Sequence, residues 1–209
     1  MNQNVNYELF QRYTSNPILS VDNWPYRANS VFNAAAALVD GKTILLARVE
    51  DYRGISHLTV AKSDDGISDW QIDENPTLKP DTKNHPEEIW GIEDPRITWI
   101  QEMNKWAICY TSYSKGGPLV SLATTDDFKN FQRLGSVMPP EDKDAALFPV
   151  KFNGLWAMLH RPTPRLPLGA NIWISFSPDL KHWGQHHEII CAREGGWWDA
   201  NKIGLCAPP

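Results

Sequence analysis

Short apolar runs alternate along the chain with clusters of Gly, Asp, Asn and Pro, and helical periodicity is scarce. The clearest apolar runs lie at residues 43–49, 106–111, 155–160 and 171–176. Runs of this length that are rich in β-branched and aromatic residues predict strands. Asp40-Gly41 and Asn153-Gly154 supply the positive φ angles that tight hairpins need. The pattern therefore predicts an all-β protein.

One local pattern occurs three times, at residues 61–70, 123–131 and 175–183. Each copy has a small residue at a strand end, a Ser or Thr, an Asp in a turn and an aromatic anchor. The copies are 62 and 52 residues apart, counted between Ser63, Thr125 and Ser177. This spacing suits four-stranded blades with long loops. Chance similarity among Asp-rich hairpin turns is the alternative, and we favour a β-propeller.

The prediction is a single β-propeller domain over residues 1–209. At roughly 55 residues per blade the chain holds about three and a half to four blades. The sequence from Trp198 looks like the start of a further blade. We therefore expect a truncated propeller, or one completed by another chain as a homo-oligomer or by a C-terminal fragment.

Composition excludes several classes of function. The net charge is -5 and no run of Lys or Arg is present, which argues against a nucleic-acid partner. The chain has no apolar stretch of 18 residues and no N-terminal signal pattern, so we expect a cytoplasmic protein without a membrane partner. Cys109, Cys191 and Cys206 are widely spaced, which favours a reducing compartment and predicts no metal site.

Glu93-Asp94-Pro95-Arg96 is the most informative short motif. Proline favours extended geometry in the residue before it, so Asp94 is expected at a strand start or rim. Burial or the neighbouring Glu93 would raise the pKa of Asp94, whereas Arg96 would lower it. A solvated turn with a surface ion pair is the alternative interpretation of the same motif.

Residues that begin successive blades converge, because the innermost strand of each blade lines the central channel. The residues nearest the inferred blade starts are Asn33, Asp94, Lys143 with Asp144, and Asp199 with Lys202. Each cluster also has a plainer interpretation. Arg48 and Asp51 could form a local ion pair, His160 could be a core histidine, and Lys202 could be a solvated tail residue.

Taken together, these motifs resemble glycoside hydrolase family 130, the inverting β-mannoside phosphorylases and related hydrolases. The matching segments are residues 29–33, 48–54, 91–97, 143–149, 160–162, 197–199 and 202–204. The resemblance implies the fold of a five-bladed β-propeller. It covers nearly all of this chain but about the first two thirds of a typical member.

The resemblance also implies roles for individual residues. Asp94 matches the general acid of the family. Side chains around the terminal mannose are implied at Asn33, Arg48, Asp51 and Lys202, and phosphate-binding cations are implied at Lys143, Arg161 and Lys202. Glu93, Asp144 and Asp199 are further candidates for substrate binding, with His160 and Arg53 as possible additions.

The predicted function is phosphorolysis of a β-mannoside disaccharide or oligosaccharide to α-mannose 1-phosphate. Inorganic phosphate is then the co-substrate, and no other cofactor is expected. An inverting hydrolase is the first alternative and would need a second carboxylate to activate water. An inactive propeller that binds only a sugar or a partner chain is the second. Linkage and acceptor are expected to depend on rim loops at residues 79–88 and 162–169.

Overall fold

A computed structural model describes residues 10–163 and 169–209 of the chain. Twelve strands within these residues form three four-stranded antiparallel sheets. The strands are β1 (Ser30–Val39), β2 (Lys42–Glu50), β3 (Ser56–Ser63), β4 (Gln71–Ile72), β5 (Ile92–Ile100), β6 (Lys105–Ser114), β7 (Gly117–Thr125), β8 (Phe131–Ser136), β9 (Asp142–Leu147), β10 (Trp156–Pro162), β11 (Ile172–Ser177) and β12 (Gly184–Ile190). Short 3₁₀ helices span Val21–Asn23 and Pro86–Glu88.

Each sheet contains four strands that are consecutive in sequence, and we call the sheets blades 1, 2 and 3. Blade 1 comprises β1–β4, blade 2 comprises β5–β8 and blade 3 comprises β9–β12. Their first strands are neighbours, because β1 packs against β5 and β5 packs against β9. The expected all-β propeller is therefore confirmed, with three complete blades in the described residues. Residues 191–209 follow β12 and add one isolated bridge, from Lys202 to Ala170.

The sequence repeat forms the turn between the third and fourth strand of every blade. In blade 2 the Asp127 carboxylate accepts hydrogen bonds from the amides of Lys129 and Asn130, at 2.9 and 2.8 Å, and the Thr125 hydroxyl accepts one from Phe128 at 3.0 Å. Blades 1 and 3 repeat the pattern around Asp65 and Asp179. These amide contacts lower the pKa of each aspartate and explain why the motif recurs.

The apolar core lies between neighbouring blades. Leu46, Leu58 and Val60 of blade 1 pack in one buried cluster with residues of blade 2 that include Ile92 and Ile108. A second cluster joins blade 2 to blade 3. Burial between blades fixes the position of each first strand relative to the next, which places the blade-start side chains close together.

The long connection from blade 1 to blade 2 is held by a buried ion pair. Glu88 is fully buried, and its Oε1 atom accepts from Nε of Arg133 at 3.0 Å and from the Tyr110 hydroxyl at 2.9 Å. Its Oε2 atom accepts from the Asp81 amide at 2.7 Å. Gly91 ends this connection at positive φ, where an added Cβ would lie 2.7 Å from the amide nitrogen of Ser56. No helix in the described residues is long and apolar enough to span a membrane.

Candidate active site

The first strand of every blade carries a β-bulge at the same place. The residue at each bulge has a positive φ, which is 46° at Asn33, 49° at Asp94 and 53° at Asp144. The strand pairing shifts at these three positions. Asn and Asp tolerate left-handed backbone better than other residues with a Cβ, and bulges re-aim side chains next to active sites. The same type of β-bulge therefore orients three of the predicted polar side chains.

Asp94 is the centre of the largest polar cluster. Its Oδ1 atom accepts from Nδ2 of Asn33 at 2.9 Å and from Nη1 of Arg48 at 3.0 Å. Its Oδ2 atom lies 3.4 Å from Nζ of Lys143. These partners come from blades 1 and 3, on either side of Asp94 in blade 2, and only 7% of Asp94 is exposed. Four residues predicted from sequence are thus brought into direct contact.

Arg48 also binds the carboxylate that precedes Asp94. Its Nη2 atom donates to Oε1 of Glu93 at 3.0 Å, while Oε2 of Glu93 lies 3.8 Å from Nζ of Lys143. Two further contacts orient the guanidinium. Its Nε atom donates to the Ser56 hydroxyl at 2.9 Å, and the group stacks on the Phe32 ring, 4.5 Å from the centroid. Ser56 and Phe32 were not among the predicted site residues. The position of Phe32 directly before Asn33 is the sequence feature that could have identified it.

The two adjacent carboxyl groups differ in protonation tendency. Burial alone raises the pKa of Asp94, but hydrogen bonds from Asn33 and Arg48 and the charge of Lys143 outweigh burial and lower it. Burial also raises the pKa of Glu93, and there the opposing charges of Arg48 and Lys143 do not reverse it. Arg48 and Lys143, rather than Arg96, are therefore the cations that set the protonation of Asp94.

Arg96 connects this cluster to a second one around Asp144. Its Nη1 atom donates to the main-chain carbonyl of Asp94 at 2.8 Å, and its Nη2 atom lies 3.7 Å from Oδ1 of Asp144. Oδ2 of Asp144 accepts from Nε and Nη2 of Arg161, at 2.9 and 2.5 Å. Arg161 is 6% exposed, so this pair is shielded from solvent. A cation-rich region thus adjoins Asp94.

The C-terminal segment crosses the second cluster. Arg96 donates to the carbonyl oxygens of Leu205 and Cys206, at 2.6 and 3.1 Å. A Cβ on Gly204 would lie 3.1 Å from Oδ2 of Asp144. Arg96 is more than 100 positions from residues 205 and 206, and Gly204 is 60 positions from Asp144, so these contacts leave no local signal in the sequence.

The other predicted residues have different partners. Asp51 accepts from Nε and Nη2 of Arg53, at 2.9 and 2.7 Å, in the turn between β2 and β3. Asp199 accepts from Arg193 at 2.7 Å. Lys202 is exposed, and its main chain bridges to Ala170. Roles in substrate binding for these four predicted positions stay predictions.

His160 lies inside blade 3 instead of facing the clusters. It is 2% exposed, with Nδ1 2.6 Å from Asp142 and Nε2 2.7 Å from the Ser175 hydroxyl. This placement matches the core-histidine interpretation. Of the rim loops, residues 79–88 are described, whereas most of the 162–169 loop lies outside the described residues. Residues 10–163 and 169–209 contain no group of three or more His, Cys, Asp or Glu arranged to hold a metal ion.

The sequence matches one family model over residues 3–209, and the description of that model is beta-1,4-mannooligosaccharide phosphorylase. The chain belongs to glycoside hydrolase family 130. The resemblance inferred from the motifs is thus confirmed.

Two curated relatives of this family 130 chain are phosphorylases by name. It is 34% identical to the 1,2-beta-oligomannan phosphorylase of Thermoanaerobacter sp., over 95% of this chain and 67% of the relative. It is also 34% identical to the beta-1,2-mannobiose phosphorylase of Listeria innocua, over 74% of this chain and 42% of the relative. The chain therefore spans between about two fifths and two thirds of the length of these relatives.

A solved structure confirms the fold. The complex of the Listeria innocua beta-1,2-mannobiose phosphorylase with beta-1,2-mannobiose superposes with a TM-score of 0.80 at 26% identity. The match covers 92% of this chain and 69% of the other. The three blades described above thus adopt the arrangement of a family 130 propeller.

Proposed function

We propose that this family 130 protein is an inverting glycoside phosphorylase that cleaves a β-mannoside with inorganic phosphate. The observation that most supports it is the placement of Asp94, a carboxyl group in contact with Arg48 and Lys143, with Arg96 on its main-chain carbonyl. A proton donor beside several cations suits a reaction whose nucleophile is an anion. The names of the curated relatives support the same activity.

In the proposed reaction a phosphate oxygen forms a bond to C1 of the mannosyl unit on the face opposite the leaving group. The bond from C1 to the glycosidic oxygen breaks, and that oxygen receives a proton that originates on Asp94. The products are α-mannose 1-phosphate and the shortened sugar. Because cations lower the pKa of Asp94 in this structure, Asp94 acquires its proton as substrate displaces the contacts with Arg48 or Lys143.

Lys143 and Arg161 are the proposed phosphate ligands, with Lys202 as a third cation. Lys143 and Arg161 already face carboxylates, since Lys143 lies 3.4 Å from Asp94 and Arg161 donates to Asp144. The fork of a guanidinium matches two phosphate oxygens, whereas an ammonium acts as a point charge. Phosphate must therefore compete with Asp144 for Arg161, and this competition sets its affinity.

One observation favours an inverting hydrolase as the second candidate. Asp144 is a further carboxylate, joined to Asp94 through Arg96 and paired with Arg161. Inverting hydrolases use a second carboxylate as the base that activates water. In this alternative water replaces phosphate as the nucleophile, and Asp144 is the base that takes a proton from that water.

Phosphate dependence separates the two candidates. The protein is incubated with β-1,2-mannobiose, β-1,4-mannobiose or mannosyl-glucose, with and without phosphate, and mannose 1-phosphate and free mannose are measured. Mannose 1-phosphate that forms only with phosphate supports the phosphorylase. Equal release of mannose in phosphate-free buffer supports the hydrolase. Sugar binding without turnover under either condition contradicts both and leaves a binding protein.

A further inference from the structure

A cavity of 560 Å³ lies at the edge of blade 1, next to the connection that leads into blade 2. Its volume is within the range of pockets that bind small ligands. We propose that it binds the anionic group of an acidic saccharide, one that carries a carboxylate or a phosphate. The saccharide rests on the proposed function, whereas the binding of an anion does not.

The charges that line the cavity are unbalanced. Arg27, Arg53 and Lys79 contribute three positive charges, and Asp51 is the acidic residue among the lining side chains. Hydrogen bonds from the side chain and amide of Arg53 outweigh burial and lower the pKa of Asp51, so it carries its negative charge at neutral pH. The chain as a whole has a net charge of -5. The lining of the cavity therefore has an excess of two positive charges although the whole chain is negative, and this local positive charge favours anions.

Asp51 does not satisfy all three cations. Its carboxylate is engaged by Arg53 through two side-chain hydrogen bonds and also accepts from the amides of Arg53 and Ile55. Arg27 instead places its guanidinium over the Tyr52 ring, 4.6 Å from the centroid. Arg27 and Lys79 are exposed, so their charged groups are accessible to a ligand in the cavity.

One wall of the cavity offers neutral polar and aromatic surface. His57 is 9% exposed, and its Nε2 atom lies 2.9 Å from the Tyr26 hydroxyl. Burial lowers the pKa of His57 to about 4, a net value in which Asp51 opposes the effect of burial and Lys79 adds to it. Both charged groups thus act on the same imidazole, which is neutral at pH 7. A neutral imidazole and a tyrosine ring suit the hydroxyl groups and apolar face of a sugar.

The cavity is linked to the Asp94 cluster through three consecutive residues at the start of β3. Ile55 and His57 line the cavity, and Ser56 between them accepts a hydrogen bond from Arg48 at 2.9 Å. Arg48 in turn donates to Asp94. The two sites thus share the start of one strand, and we take the acidic sugar to be the far part of a mannoside held at Asp94.

Binding of three probes tests the proposal: D-glucuronate, mannose 6-phosphate and D-mannose. Titrations are performed on the full, unmodified chain, because none of these monosaccharides contains a glycosidic bond that the proposed reaction could break. The readout is the dissociation constant together with the pKa of His57, followed by NMR. An anion bound in the cavity raises the pKa of His57, because an opposite charge nearby favours the imidazolium.

The expected result is that at least one anionic probe binds and raises the pKa of His57, and that D-mannose does not raise it. The double variant Arg27→Gln/Lys79→Gln weakens anion binding at least tenfold, whereas Lys105→Gln, at a surface ion pair with Asp126, leaves it unchanged. Arg161→Gln also leaves the His57 response unchanged, which separates the cavity from the phosphate ligands at Asp144. Glucuronate binding assigns the carboxylate, and binding of mannose 6-phosphate alone assigns the phosphate.

Unchanged anion affinity in the double variant overturns the proposal, as does the lack of any change in the His57 pKa with both anions. These failures are distinct from failure of the proposed function. Phosphorolysis of a neutral mannobiose by the unmodified chain tests that function without an acidic group. Failure of anion binding in the cavity therefore leaves the proposed phosphorolysis untouched, and failure of phosphorolysis leaves anion binding untouched.

Discussion

Arg48 in blade 1 donates from Nη1 to Oδ1 of Asp94 in blade 2 over 3.0 Å. The two residues are 46 positions apart in sequence and belong to different sheets. Their contact holds the proposed acid in its ionised form and orients it at the bulge of β5. The relationship makes Asp94 and Arg48 the first targets for substitution.

Asp94→Asn is expected to abolish turnover and preserve the fold. Asparagine occupies the equivalent bulge at Asn33, with a φ of 46°, so the amide fits this backbone conformation. Loss of a general acid lowers rates by about 100-fold or more. The measurement is kcat together with sugar affinity and the melting temperature. Asp126→Asn, a surface carboxylate paired with Lys105, is the matched control, and an active Asp94→Asn protein contradicts the assignment.

Arg48→Met is expected to raise the pKa values of both Asp94 and Glu93. Arg48 lowers each of them at present, through a hydrogen bond and its charge at Asp94 and through its charge at Glu93. Removing a cation removes the attraction that favours the charged form, so both values move upward. Carboxyl ¹³C NMR over a pH series measures the shift. Lys105→Met removes a surface cation and should leave both values unchanged; an unaltered Asp94 in Arg48→Met refutes the explanation.

The sequence identifies the residue types at the site better than their contacts. Asn33, Asp94 and Asp144 stand out because each begins a blade, and the structure adds the bulge that gives all three the same backbone geometry. The raised pKa of Glu93 follows from burial, and burial depends on packing between blades. The contacts of Arg96 with residues 205 and 206 join distant parts of the chain, so local patterns carry no trace of them.

Glu88→Gln is expected to destabilise the protein. It leaves the Arg133 guanidinium without its carboxylate in a buried site, and breaking such a pair costs about 3 kcal/mol or more. Urea unfolding measures the loss. Lys42→Met breaks an exposed pair with Asp64 and is expected to cost less than about 1 kcal/mol. Equal losses in the two variants would show that the buried pair has no special role.

Stability should depend on pH through His57. Its folded pKa of about 4 lies below the unfolded value of about 6.5. Between these values the unfolded chain binds more protons, so the free energy of unfolding rises with pH up to about 6.5 and falls as pH decreases toward 4. The contribution is on the order of 3 kcal/mol. His57→Gln should reduce the difference between urea unfolding at pH 4.5 and pH 7.5, and an undiminished difference rules His57 out as its source.

Asp144→Asn is expected to distinguish the two candidate functions from within the site. The amide fits the left-handed bulge as Asn33 does, but it no longer carries the charge that holds Arg161. If phosphate binds Arg161, removal of its competitor lowers the KM for phosphate several-fold, because charge-assisted pairs are about twice as strong as neutral ones. If Asp144 is instead the base of a hydrolase, kcat falls by about 100-fold or more in phosphate-free buffer. Steady-state kinetics at varied phosphate give both numbers, and Asp127→Asn at a peripheral turn is the matched control for carboxylate loss. A phosphate KM that does not fall in Asp144→Asn contradicts the proposed competition for Arg161.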